Sequence, residues 1–303
     1  MAFTASDVKA LREKTGCGMM ACKKALVETD GDMAKAIDYL REKGLASASK
    51  KAGRIAAEGV AFAKTTADYS VGAIMEVNSE TDFVAKNSEF LNFVERCADV
   101  VISENPESVD ELLQCKMDSS STVSEVLTEK IAKIGENIKV RRFERFTGFV
   151  VPYIHMGGRI AVVVNADVDD DIKGNTSVKE ILKDVAMQVA AINPVYLEKN
   201  SVPSEVVEKE KSILMEQVIS EGRPKVIAEK IVAGKISKFF KESCLLEQPF
   251  VKNGDITVRQ YVEGEEKSMG GRIKILDFVR YEKGEGIEKK EADFASEVAG
   301  MVK

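Results

Sequence analysis

The sequence predicts an α+β fold, and three observations carry that expectation. "EGVAFAKT" and "YSVGAIMEVNSE" are two strand-like runs joined by a polar turn, and the helical run "SEFLNFVERCADVVISE" follows them. The same order returns in "FTGFVVPYIH", "GRIAVVVNADV" and "SVKEILKDVAMQVAAI", which points to a duplicated hairpin-plus-helix core. Purely helical patterns flank and interrupt these units.

Residues 4–44 read as three short helices. Thr4 or Ser6 suits the first N-cap, Val8 and Leu11 share its inner face, and Gly16 stops it. A second helix spans about Met19 to Glu28, with Cys22, Ala25 and Leu26 inward. A third spans about Asp32 to Lys43, with Ile37 and Leu40 inward and Gly44 placed to end it. The small, basic stretch 45–54, "LASASKKAGR", reads as a linker. In the first unit's helix, Phe90, Phe93, Val94, Cys97, Val100 and Val101 recur at helical spacing; in the second, Ile181, Leu182, Val185, Val189 and Ile192 do. Between the units, a helix runs to about Lys133 and a strand follows. Residues 203–241 form two amphipathic helices around "EGRP", an αα-hairpin inserted into the second unit. A short helix near Val258 to Val262, the strand "GRIKILDFVRYE" and a final amphipathic helix "KKEADFASEVAGMVK" complete the chain. The expected division is 1–54, 55–147, 148–202 with 242–284, the insert 203–241, and a helical module 285–303.

Composition narrows the function. Of 303 residues, 44% are apolar and 31% charged, and the net charge is −6. A broad nucleic-acid footprint needs clustered Lys and Arg, which this balance does not supply. No apolar run approaches the length of a membrane span, and the N-terminus lacks a secretory pattern. Five scattered cysteines read as reduced thiols of a cytoplasmic protein.

Catalytic patterns fail one by one. "GCGMMA" resembles part of a dinucleotide fingerprint, but a helix rather than a strand precedes it. There is no P-loop pattern, Cys17 and Cys22 lack partners at zinc spacing, and His155 is the only histidine. Asp169, Asp170 and Asp171 read as a solvated turn without a calcium-loop partner. No cofactor, metal site or enzymatic chemistry is therefore expected. What stands out instead is apolar groups at polar positions: Met19 and Met20 at a loop-to-helix junction, and Phe83 in "NSETDFVAKN". Methionine suits adaptable binding surfaces. The residues alone leave Phe83 open, either a satellite core group or an exposed one.

"LREKTGCGMMACKKAL" and "EVNSETDFVAKN" resemble the two signatures of the bacterial elongation factor Ts family, the guanine-nucleotide exchange factors of elongation factor Tu. "AKIGENIKVRR", "GGRIAVVV", "VVEKEK", "GRPKVIAEKIVAGK" and "GEGIEKKEADFASEVA" resemble further family segments in the same order. Cys17, Ala21 and Ser79 depart from the residues common there. The resemblance implies a three-helix domain like ubiquitin-associated domains, which docks on the partner through Lys9, Arg12, Met19 and Met20. It implies that Thr81, Asp82, Phe83 and Val84 dislodge the magnesium ion of elongation factor Tu. Ile134, Gly135, Glu136 and His155 match further contacts. The inserted hairpin matches a coiled-coil dimerisation module and the C-terminal helix a docking element. The implied cycle is GDP release followed by GTP loading, with no nucleotide, nucleic acid or membrane bound by the factor. The alternative is a non-catalytic adaptor that binds through the three-helix domain.

Overall fold

The computed structural model describes residues 3–15 and 17–288. The stop assigned to Gly16 and most of the expected C-terminal helix, 289–303, lie outside the described residues. Helices α1 (Ala5–Thr15), α2 (Met19–Glu28) and α3 (Met33–Lys51) come first. Val8, Leu11, Cys22, Ala25, Leu26 and Ala36 form their shared core. The Asp32 carboxylate caps α3 by accepting from the Ala34 and Lys35 amides.

The linker expectation needs correction. Helix α3 does not end at Lys43; Gly44 is buried inside it, and residues 45–51 continue it. Small side chains alone carry no reason to stop a helix, and tertiary packing stabilises a stretch that would be marginal in isolation. Ala48, on this extension, packs against the core of the first unit.

That unit comprises β1 (Glu58–Thr65), β2 (Val71–Ser79), α4 (Asp82–Ala85), α5 (Ser88–Glu104), α6 (Val109–Gln114), α7 (Val123–Ile134) and β3 (Lys139–Thr147). The sheet order is β1-β2-β3, antiparallel, with Phe62 opposite Met75. Helix α5 covers its outer face and buries Phe90, Phe93, Val94, Cys97, Val100 and Val101. Helix α6, unforeseen in the sequence, is too short to display a period.

The second unit comprises β4 (Phe149–His155), β5 (Ile160–Val168), α8 (Asp170–Lys173) and α9 (Thr176–Ile192). It continues through α10 (Ser204–Ser220), α11 (Lys225–Ser243), β6 (Pro249–Phe250), β7 (Asn253–Thr257), α12 (Val258–Met269) and β8 (Ile273–Glu282). Its antiparallel sheet has the order β4-β5-β8. Helix α9 buries Ile181, Leu182, Val185 and Val189, whereas Ile192, its last residue, is exposed. Helix α12 extends well past Val262 because a Thr257–Gln260 capping box starts it and Gly270, at φ 72°, ends it. Helices α10 and α11 pair through Val218, Ala228, Val232 and Ile236, leaving Ile213, Ile219, Val226 and Ile227 exposed.

The inner faces of the two sheets meet in a third layer of Ala61, Ala63, Ile74, Val150, Ala161, Val163 and Tyr281. Alanines and Gly72 allow the close approach; a Cβ on Gly72 would lie 2.4 Å from Val150 Cγ1. At the edge of this layer the Glu76 carboxylate is fully buried. It accepts from Arg141 Nη1 (3.0 Å), Arg142 Nε (2.7 Å), Asn78 Nδ2 (3.0 Å) and the Gly284 amide (2.7 Å). Burial pushes its pKa up, but these donors outweigh that and hold it below the ordinary carboxylate value. The contact ties the chain leaving β8 to the first unit.

Candidate functional site

The turn between β2 and α5 holds the four residues expected to act together, and their side chains point different ways. Thr81 is the N-cap of α4 and its hydroxyl accepts from the Val84 amide. Successive helical residues are rotated by about 100°, so neighbours in one turn cannot share a surface. Val84 and Ala85 accordingly enter the core of the first unit. Phe83 is 81% exposed. Asp82 faces solvent and pairs with Lys86 at 2.7 Å, and this partner keeps its pKa low. The polar loop expected here is therefore a capped helical turn carrying a bare aromatic ring.

Glu136 holds the turn from behind. Its carboxylate accepts from the Glu80 amide (3.1 Å), the Thr81 amide (3.0 Å) and the Thr81 hydroxyl (2.7 Å). Glu80 answers by accepting from the Asn137 amide (2.6 Å). Gly135 enables the geometry: it closes α7 at φ 88° and lets the next two residues face the turn. Asn137 also donates to the carbonyl of Arg54 at 2.8 Å. The sequence does not single out Glu80 or Asn137; a Gly-Glu-Asn run straight after an amphipathic helix is the signal that marks Asn137, and no local signal marks Glu80.

The remaining expected residues are spread over the molecule. Lys9 and Arg12 lie one turn apart on α1, where Lys9 pairs loosely with Glu13 at 3.9 Å. Met19 and Met20 open α2 and are 46% and 74% exposed. Ile134 is half-buried against the first unit's core, and Gly135 is exposed beside it. His155 ends β4, half-buried, with Nδ1 2.9 Å from the Tyr153 hydroxyl; Ile154 and Met156 on either side are exposed. The structure places Thr81, Asp82, Phe83 and Val84 in one turn and fastens Glu136 to it through Thr81. Among the described residues, no group of His, Cys, Asp or Glu could hold a metal ion, and no helix is long and apolar enough to cross a membrane.

The chain is thus a sheet-and-helix scaffold that presents a braced, exposed aromatic turn. A model of the family described as "Elongation factor TS" matches residues 80–285. The chain is 52% identical over 302 residues to elongation factor Ts of Clostridium perfringens (strain SM101 / Type A), covering 99% of each chain. It is 51% identical over 305 residues to that of Clostridium kluyveri (strain ATCC 8527 / DSM 555 / NBRC 12016 / NCIMB 10680 / K1), covering 99% of each. It is also 51% identical over 308 residues to that of a Nitratiruptor species, covering 100% of each. These matches define a translation elongation factor, a component of protein biosynthesis. The chain belongs to the elongation factor Ts family.

Proposed function

We propose that this chain binds elongation factor Tu carrying GDP and promotes GDP release by disturbing the partner's magnesium site, so that GTP can reload. The observation that carries this reading is the ring of Phe83, 81% exposed on a turn fastened by three hydrogen bonds to Glu136. GTPases hold nucleotide largely through magnesium and phosphate contacts. A rigid ring inserted between the elements that carry those contacts moves the metal ligands without touching the nucleotide. Burying a phenylalanine ring in a partner pocket is worth about 1.5–3 kcal/mol. Coupling is reciprocal: if nucleotide weakens factor binding, the factor weakens nucleotide binding by the same free energy. The chain then acts by binding, in the cytoplasm, and makes or breaks no covalent bond.

The three-helix domain supplies initial docking through Lys9, Arg12, Met19 and Met20. His155, with Ile154 and Met156 beside it, meets a second part of the partner, and the α10–α11 hairpin pairs two copies of the chain through its exposed isoleucines and valines.

The deciding experiment is stopped-flow release of fluorescent GDP from elongation factor Tu, with wild type and Phe83→Ala at equal concentrations of folded protein. Acceleration by wild type, slowed about 10- to 100-fold in the variant at about 1.4 kcal/mol per decade, supports the reading. No acceleration by the wild-type chain would overturn it.

A further inference from the structure

Helix α7 packs against α3 of the three-helix domain, and the residues that follow it bind the Phe83 turn. Along its flank, α3 crosses at Gly44: a Cβ built there would lie 3.6 Å from Ala132 Cβ and 3.8 Å from Thr128 Cγ2. An alanine fits this gap at ordinary contact distance and a larger side chain does not. One turn earlier on α3, Arg41 pairs with Glu125 near the start of α7. One turn later, Ala48 enters the first unit's core. At its far end α7 closes at Gly135, and the following residues bind two chain segments at once. Glu136 holds Glu80 and Thr81, and Asn137 holds the Arg54 carbonyl just after α3. Lys130 and Lys133 of α7 also reach Glu89 at the start of α5, at 3.4 Å and 2.6 Å. One helix therefore spans the distance between the docking helices and the aromatic turn.

We propose that α7 is a brace that sets the spacing between the three-helix domain and Phe83, with Gly44, packed against its C-terminal half, and Glu136, just past its end, as positioning residues. The assignment rests on the proposed exchange function. It reassigns Glu136 from partner contact to support, because both of its carboxylate oxygens already accept hydrogen bonds within the chain. A rigid spacing matters because two contacts on one partner reinforce each other only when both can form together. The two positions should therefore fail differently, because Gly44 belongs to the docking helices and Glu136 faces the turn. Loosening Gly44 frees the docking domain and weakens association while the wedge stays formed. Loosening Glu136 blurs the wedge while docking persists.

The test uses the full chain with Gly44→Phe, Gly44→Ala and Glu136→Gln. Two readouts are combined: hydrogen exchange over residues 41–51 and 79–86, and GDP release from elongation factor Tu as a function of factor concentration. Gly44→Phe is expected to lose protection in 41–51 and to raise the half-saturating concentration at least tenfold, with the maximal release rate retained. Gly44→Ala should behave as wild type in both readouts. Glu136→Gln should lose protection in 79–86 and lower the maximal rate severalfold at an unchanged half-saturating concentration. The brace is overturned if Gly44→Phe loses protection in 41–51 without a change in half-saturation. It is equally overturned if Glu136→Gln shifts only the half-saturating concentration, as a direct contact would. A wild-type chain that fails to release GDP overturns the proposed function instead; hydrogen exchange of Gly44→Phe then decides the packing alone, and retained protection refutes it.

Discussion

In the first unit Thr81 caps a one-turn helix, Asp82-Phe83-Val84-Ala85, and Asn87 then caps the long helix. In the second, Asp169 stands at the cap, Asp170-Asp171-Ile172-Lys173 is the turn, and Asn175 caps the long helix. The spacing is identical, and the third residue of each turn is buried: Val84 is 7% exposed and Ile172 is 6%. Each turn is tied from behind, one by Glu136 and the other by hydrogen bonds between Asp169 and the backbone of Arg272. They differ at the second residue, which carries a phenyl ring in one copy and a carboxylate in the other. The same backbone therefore tolerates a charged group at this place, and nothing in the fold requires an aromatic. That freedom is what the proposed wedge role of Phe83 requires.

Several experiments would break or sharpen this comparison. The largest effect should come from the position the two turns share. Ile172→Ala is expected to cost about 2–5 kcal/mol of stability and Val84→Ala about 2 kcal/mol, both read by urea unfolding. Near-zero losses would show that the turns are not anchored alike.

The units also differ in what they bury. The first encloses the Glu76 carboxylate, whereas the second encloses the neutral amides Gln188 and Gln248. The folded-state pKa of Glu76 is depressed, so its contribution is complete above the ordinary value of 4.5 and fades as pH falls through the depressed value. Acid should loosen the first unit before the second, observed as earlier loss of amide protection in β2 and β3. Glu76→Gln should cost about 2–3 kcal/mol at neutral pH and flatten that acid dependence.

Exchanging the second residue tests the reading directly. Phe83→Asp copies the twin turn, so melting temperature should stay within a degree or two of wild type while GDP release falls at least as far as in Phe83→Ala, about 10- to 100-fold. A large fall in melting temperature with normal release per folded molecule would return the ring to the core. The smallest effect is expected at the first residue. Asp82→Ala removes an exposed pair with Lys86 and should change release by no more than severalfold, since such pairs are worth about 0–1 kcal/mol.

The sequence by itself determined the class and the order of elements. Short apolar runs bounded by polar turns specified the four hairpin strands, and the 3.6-residue spacing of Phe90, Phe93, Val94, Cys97 and Val101 specified the face of α5, because burial on one helix face imposes that period directly. It also marked "NSETDFVAKN" as unusual. Whether Phe83 points inward or outward was decided only by tertiary structure: a single turn has no periodicity to read, and Glu136, 53 residues on, fixes its orientation. The end of α3 was likewise beyond local inspection. Gly44 looks like a terminator until α7 lies against it, and then it is a buried small residue at a helix crossing, where an alanine would also fit but a large side chain would not. Period belongs to the chain, but contacts between distant segments arise only when the chain closes on itself.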